Sequence, residues 1–405
     1  MDYMKGLAVL WFTCGHCMQF WAIPSNTWDS PQALIALLLD WTGPALFVSV
    51  TVIGTMLSIR QKQLTGQTKG MFWNGFKKAT FLIIVGEIMN VFINAINIST
   101  NGMNLGAWII FGANMILVVG CAQIFTYGMM KLSWKARLAL GILLIAIYPL
   151  LLDWCLPSLI INGSRQIATS ASVLITPQYI VYYLLFYLDG MDPTISWLIT
   201  TLLTGVIFSP FVEAHARAAT GLPGGDDKAK ARSVRSLLVL GGLAIAASVL
   251  GGSWLLNKGY AFAATLYNWL VTPGYRLYFL PGLPLFLVRH CPNYLLFNLG
   301  LLAVSFGLLQ RRAAAGKTIF LQDWIANLGR FSFTLFLAGD LLLIKTLYLT
   351  WYQFSVVIAI VEVGYLLVTR LWAVKGRSIG SLEWLAQQYD KGLNIIEAKV
   401  RARLA

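Results

Sequence analysis

The chain has 405 residues, 58% of them hydrophobic and only 11% charged, where soluble domains carry about 25% charged residues. A soluble fold is excluded, and so is a β-barrel, because the apolar runs Leu138–Leu152 and Leu237–Leu256 are long and continuous instead of alternating over about ten residues. The net charge of +14 belongs to membrane loops rich in Lys and Arg, so no nucleic-acid partner is expected.

In chain order, the first apolar run, 6–23, lacks a basic leader and a small-residue cleavage site, and is expected to be a retained span. Spans are then predicted at about 33–58, 76–96, 107–130, 138–156, 194–215, 236–256, 293–310, 328–349 and 352–371. Between them, basic loops (Arg60 to Lys78, Lys131 to Arg137, Arg217 to Arg235, Arg311 to Lys317) alternate with charge-poor ones. By the positive-inside bias this places both termini in the cytoplasm. The stretches 178–189 and 260–288 would break that parity or are interrupted by Pro273, Gly274, Pro281, Gly282 and Pro284. They are expected to be re-entrant or interfacial helices on the outer side. The expected fold is thus all-α, a polytopic transmembrane helix bundle of about ten spans. It comprises a membrane domain over 1–372 and a cytoplasmic amphipathic tail helix over 373–405, lying on the inner membrane surface.

Ionisable residues inside spans are costly and are functional candidates by default. Here they are His16, Asp40, Glu87, Asp153, Glu213, His215, Asp340, Lys345 and Glu362. Glu87, Asn90 and Asn94 give the third span one polar face. Glu213 and His215 read as a solvated span end, and Asp340 with Lys345 as an ion pair. His16 lies deep in the first span, where a neutral imidazole suits a general base and also a buried structural role. Its neighbours Cys14 and Cys17 form a CxxC in mid-helix, away from the helix N-terminus that thiol redox chemistry needs. No metal site is expected, since a zinc would need ligands from another span. The five cysteines read as no disulfide framework.

The stretch Asp2-Tyr3-Met4-Lys5-Gly6-Leu7-Ala8, followed by an apolar run to His16, resembles the amino-terminal signature of the acyltransferase-3 family. Leu328-Gly329-Arg330-Phe331-Ser332-Phe333-Thr334-Leu335-Phe336-Leu337 is similar to that family's late motif. Leu46-Phe47 resembles its second-span stretch, and Lys77-Lys78 stand where it has paired basic residues. The segment Ile110 to Asn114 is closer to the related heparan-glucosaminide N-acetyltransferases. The resemblance covers about residues 1–350 and implies a membrane-embedded acyltransferase. Such an enzyme moves an acetyl or acyl group from cytoplasmic acetyl-CoA or acyl-CoA, its donor substrate, to a glycan, glycolipid or other acceptor, with no bound cofactor. It implies His16 as catalytic base or acyl carrier. Asp2 and Lys5 would hold the donor side, Lys77 and Lys78 would meet the coenzyme's phosphates, and Glu87, Asn114, Arg330 and Ser332 would line the substrate sites. The implied partners are the lipid bilayer, the acyl-CoA and a lipid-linked acceptor, within a homodimer or a larger membrane complex. The implied location is a bacterial inner or plasma membrane in preference to an organelle.

The chain departs from the pattern at Lys5, where the family has Arg, and at Gly339, where it has His, and Asp2 has almost no chain ahead of it. Those departures support an alternative expectation, a catalytically degenerate relative acting as a structural or accessory subunit of a membrane complex. A proton-coupled transporter built on Glu87, Asp340 and Lys345 ranks last, because paired broken helices in corresponding halves are lacking.

Overall fold

Apolar runs of this length fold as helices because a chain away from water must pair its backbone groups within the segment. The computed structural model describes residues 1–23, 44–101, 115–155, 160–161, 164–165, 177–182, 194–254, 286, 292–342, 347–376 and 378–404. Within these the chain is helical except for short connections and one antiparallel pairing, β1 (Ile160–Ile161) with β2 (Ser164–Arg165). The helices are α1 (Asp2–Trp21), α2 (Pro44–Leu64), α3 (Met71–Asn101), α4 (Met115–Met129), α5 (Trp134–Cys155), α6 (Pro177–Tyr182) and α7 (Thr194–Ile207). There follow α8 (Ser209–Ala219), α9 (Asp227–Trp254), α10 (Pro292–Ala314), α11 (Gln322–Arg330), α12 (Ser332–Leu342), α13 (Trp351–Val374) and α14 (Leu382–Leu404).

Three helical segments, Asp227–Gly251, Pro292–Ala314 and Trp351–Val374, are long and apolar enough to cross a membrane, and a fourth follows if α7 and α8 count as one bent span. Large apolar side chains stand exposed on the outer faces of the bundle: Ile88 and Phe92 on α3, Leu143 and Leu150 on α5, Leu243 and Leu250 on α9, Ile360 and Leu371 on α13. Such stripes would be a liability in water and suit hydrocarbon. The described residues are those of a helical membrane protein.

Helix α1 sits inside, packed by α2, α11, α12 and α13. Its Ala8 and Val9 join Leu46, Ile53 and Met56 of α2 and Leu328 and Phe331 of the α11–α12 corner in one apolar core. On α12, Phe336 stacks on Phe12 with ring centroids 3.9 Å apart. Past α1, Ala22 forms a parallel bridge with Leu349. The Thr350 hydroxyl then opens α13 in a reciprocal capping pair with Gln353, which satisfies backbone donors that the helix itself leaves open.

Two spans expected as continuous are broken. The segment 194–215 bends by 60° between α7 and α8, where Pro210 stands in the first turn of α8. Proline has no N–H to give and its ring crowds the carbonyl four residues back. Arg137, expected on a basic loop, is instead buried at this break, donating from Nη1 to the Gly205 carbonyl at 2.6 Å. The segment 328–349 breaks at Phe331, between α11 and α12; its Lys345 lies outside the described residues. Of 178–189 only α6 falls in the described part, and 260–288 lies outside it save for Phe286.

The tail forms α14 and docks on the bundle. Tyr389 packs on Phe81 of α3 with centroids 5.3 Å apart, and the Glu383 carboxylate accepts the Phe333 N–H of α12 at 2.8 Å.

Candidate functional site

Four helices meet at one end of α1 around a cavity of about 250 Å³. Helices α2, α3 and α4 each supply polar residues about one turn apart, because positions i and i+4 share a helix face. From α2 come Thr51, Thr55, Ser58 and Lys62, from α3 Asn74 and Lys78, from α4 Gln123 and Tyr127, and from the start of the chain Met1 and Lys5. Phe333 of α12 closes one wall. The Tyr127 ring occupies the space a side chain at Gly75 would need, so that glycine admits the ring.

Lys5, Lys62 and Lys78 thus converge on one concavity with no acidic residue in its lining and no ion-pair partner among the described residues. Three ammonium groups with hydroxyls and amides around them are the chemistry that suits an anion carrying several oxygens, such as phosphate.

The expected donor-side residues divide. Lys5 and Lys78 line the cavity. Lys77 does not: it is 4% exposed and donates to Asn394 Oδ1 of α14 at 2.7 Å. Consecutive helical residues point about 100° apart, and of the pair only Lys78 faces the cavity. Asp2 turns to Arg330, its carboxylate 3.8 Å from Nε, and Arg330 also donates to Asn327 Oδ1 at 3.3 Å. The amino-terminal and late motifs of the resemblance are therefore in contact. A Cβ on Gly329 would overlap the Asp2 carbonyl, and one on Gly6 would overlap the Ile325 carbonyl.

Ser332, also expected at a substrate site, is buried at the start of α12 and lines no part of the cavity. Beside it Glu383 accepts from Phe333 N and from the Thr334 hydroxyl, the latter at 2.6 Å, an anion at a helix N-terminus. Gly339 has no room for a side chain unless Phe12 moves, since its Cβ would lie 2.8 Å from that ring. Glu87 and the buried Asn90 sit higher on α3, away from the cavity lining, with Glu87 Oε2 buried and without a hydrogen-bond partner among the described residues.

Position 16 falls in α1, but the His16 side chain, like those of Asn94, Asp153 and Asp340, lies outside the described ones. Asn114 lies outside the described residues altogether. Cys14 and Cys17 are free thiols. Glu213, expected as a solvated span end, instead bridges two guanidiniums: Arg60 Nε at 2.6 Å and Arg217 Nε at 2.6 Å. The hydrogen bonds that Arg60 donates to the Glu213 carboxylate hold its guanidinium more firmly protonated than usual.

Lys62, Ser58, Asn74 and Tyr127 are the residues that motif reasoning missed. The signal was present as the polar spacing 51, 55, 58, 62 on α2, one face of a helix that is mostly apolar as far as Ile59. No family model matches this chain, and neither a curated protein nor a solved structure matches it.

Proposed function

We propose that the chain is a membrane-embedded acyltransferase of about ten spans with cytoplasmic termini, taking its acyl group from acetyl- or acyl-coenzyme A and delivering it to a hydroxyl or amine of a glycan or glycolipid. The observation that carries the reading is the cavity in which Lys5, Lys62 and Lys78 converge with no acidic residue in its lining among the described residues. Its volume of about 250 Å³ falls just below the roughly 300–1,000 Å³ of pockets that enclose a whole ligand. It suits the phosphate-bearing end of the coenzyme, with the remainder outside it. The basic residues Arg60, Lys62, Lys69, Lys131 and Lys135 favour the cytoplasmic side for this end.

From Lys5 to His16 is eleven residues along α1, about 16 Å of helix at the α-helical rise, a span suited to an extended pantetheine arm. In this reading the His16 imidazole removes the proton from the acceptor hydroxyl or amine as its oxygen or nitrogen attacks the thioester carbonyl carbon. The carbon–sulfur bond breaks, and the leaving thiolate takes the proton back from the imidazolium.

The test is acetyl-coenzyme A binding and coenzyme release by the purified protein, wild type beside His16→Ala. Turnover by the wild type and binding without turnover in the variant support the mechanism; equal turnover in both removes it. A second reading, a degenerate relative kept as an accessory subunit, is favoured by the Phe12 ring that leaves no room for a side chain at Gly339. It predicts no coenzyme release by the wild type and extraction only with stoichiometric partners.

A further inference from the structure

Helix α14 touches the bundle at points that adjoin the basic cavity. Near its start, Glu383 Oε1 accepts the Phe333 N–H at 2.8 Å and Oε2 accepts the Thr334 hydroxyl at 2.6 Å, while the Leu382 N–H donates back to Thr334 Oγ1 at 2.8 Å. Phe333 is itself a wall of the cavity. Eleven residues on, three helical turns and so the same face of α14, Asn394 accepts from Lys77 at 2.7 Å. The next residue after Lys77 is the cavity lysine Lys78. Between these two points Tyr389 packs on Phe81.

We propose that the C-terminal helix is a latch on the basic cavity. While it is docked, Glu383 and Asn394 act as positioning residues: Glu383 fixes the Phe333 wall, and Asn394 keeps the Lys77 ammonium out of solvent. Release of the helix frees that wall and uncovers a further cation next to Lys78. The helix is suited to release because what holds it among the described residues is these polar contacts, the Tyr389–Phe81 ring pair and Leu382 against the apolar core. Leu385, Ile395 and Ile396 are exposed, so among the described residues no protein layer covers these positions, and segments with few buried contacts sit at the low end of local stability. The inference deepens the proposed function by assigning a regulation to the donor site, and it rests on that reading only for its effect on coenzyme binding.

The test is amine labelling of the full-length protein in lipid nanodiscs with a water-soluble N-hydroxysuccinimide ester, read site by site by mass spectrometry. The forms compared are wild type, Glu383→Ala, Glu383→Gln and Asn394→Ala. In the wild type Lys77 should label far more slowly than Lys78. In Glu383→Ala and Asn394→Ala its rate should rise by at least about fivefold, the size expected for loss of one helix cap, with Lys78 unchanged. Glu383→Gln keeps an oxygen that can accept the Phe333 N–H and should fall between wild type and Glu383→Ala. That partial rescue is not expected from general loosening of the fold, which would also speed labelling at Lys230 on α9. Equal Lys77 rates in wild type and in both alanine variants overturn the latch. Protection of Lys5, Lys62 and Lys78 by added coenzyme A is measured in the same samples. Its absence removes the acyl-coenzyme A reading and leaves the latch standing on the Lys77 rates.

Discussion

Gly6 and Gly329 lie back to back: a Cβ on Gly329 would come within 2.9 Å of the Gly6 backbone nitrogen and overlap the Asp2 carbonyl. This contact joins α1 to α11 with no side chain between them, as small residues allow in tightly packed membrane helices. It brings residues more than 320 positions apart in the sequence into one structural unit, with Asp2 and Arg330 across its rim.

Substitution of Gly329 by alanine should therefore cost about 1–3 kcal/mol or prevent folding, because backbone atoms and not a flexible side-chain end stand in the way. Thermal unfolding in detergent reads this directly. A Gly329→Ala protein with the wild-type midpoint would show that the two helices are not in contact.

Replacing the cavity lysines one at a time by methionine should raise the KM for acyl-coenzyme A by about tenfold or more at Lys5, Lys62 and Lys78, given the usual strength of a charged hydrogen bond. The same substitution at Lys77 should have little effect on KM, since that ammonium is held by Asn394. Rising ionic strength should weaken binding in the wild type and flatten in the variants. Lys77 and Lys78 behaving alike would contradict the division between them.

His16→Ala should lower coenzyme A release by about 10²–10⁴-fold, the usual contribution of a general base, with the unfolding midpoint unchanged. A parallel loss of folding would make the residue structural.

Arg137 closes the break between α7 and α8 with a 2.6 Å hydrogen bond to the Gly205 carbonyl. Arg137→Ala should cost about 1–3 kcal/mol by leaving a buried carbonyl without its donor. Lysine should restore only part of that, because it lacks the planar fork that also reaches Ser209. Full rescue by lysine would mean that charge alone matters.

Glu213 makes shorter contacts than most ion pairs here, yet its side chain is 38% exposed and that of Arg60 31% exposed. Water screens such groups, so Glu213→Gln should cost below about 1 kcal/mol. A loss as large as that of Arg137→Ala, in the same unfolding assay, would show the clamp to be shielded from solvent.

The helical membrane class was legible in the sequence because it depends on composition and run length, which need no partner: an apolar run such as Leu138–Leu152 must fold as helix in any nonaqueous setting. The basic end of the bundle was legible too, since Lys5 and Lys78 carry their charge wherever they sit. The polar stripe 51, 55, 58, 62 was written in the sequence and obscured by the apolar residues around it. What only the tertiary structure decided is which of these groups meet. Whether Lys77 or Lys78 faces the cavity depends on where α14 lands, and whether Asp2 meets Arg330 depends on two glycines letting backbones touch. The breaks at Pro210 and Phe331 fall inside segments that hydropathy reads as single spans. Pairwise contacts between distant segments are set by packing of whole helix faces, and a periodic apolar pattern fits many such pairings equally well.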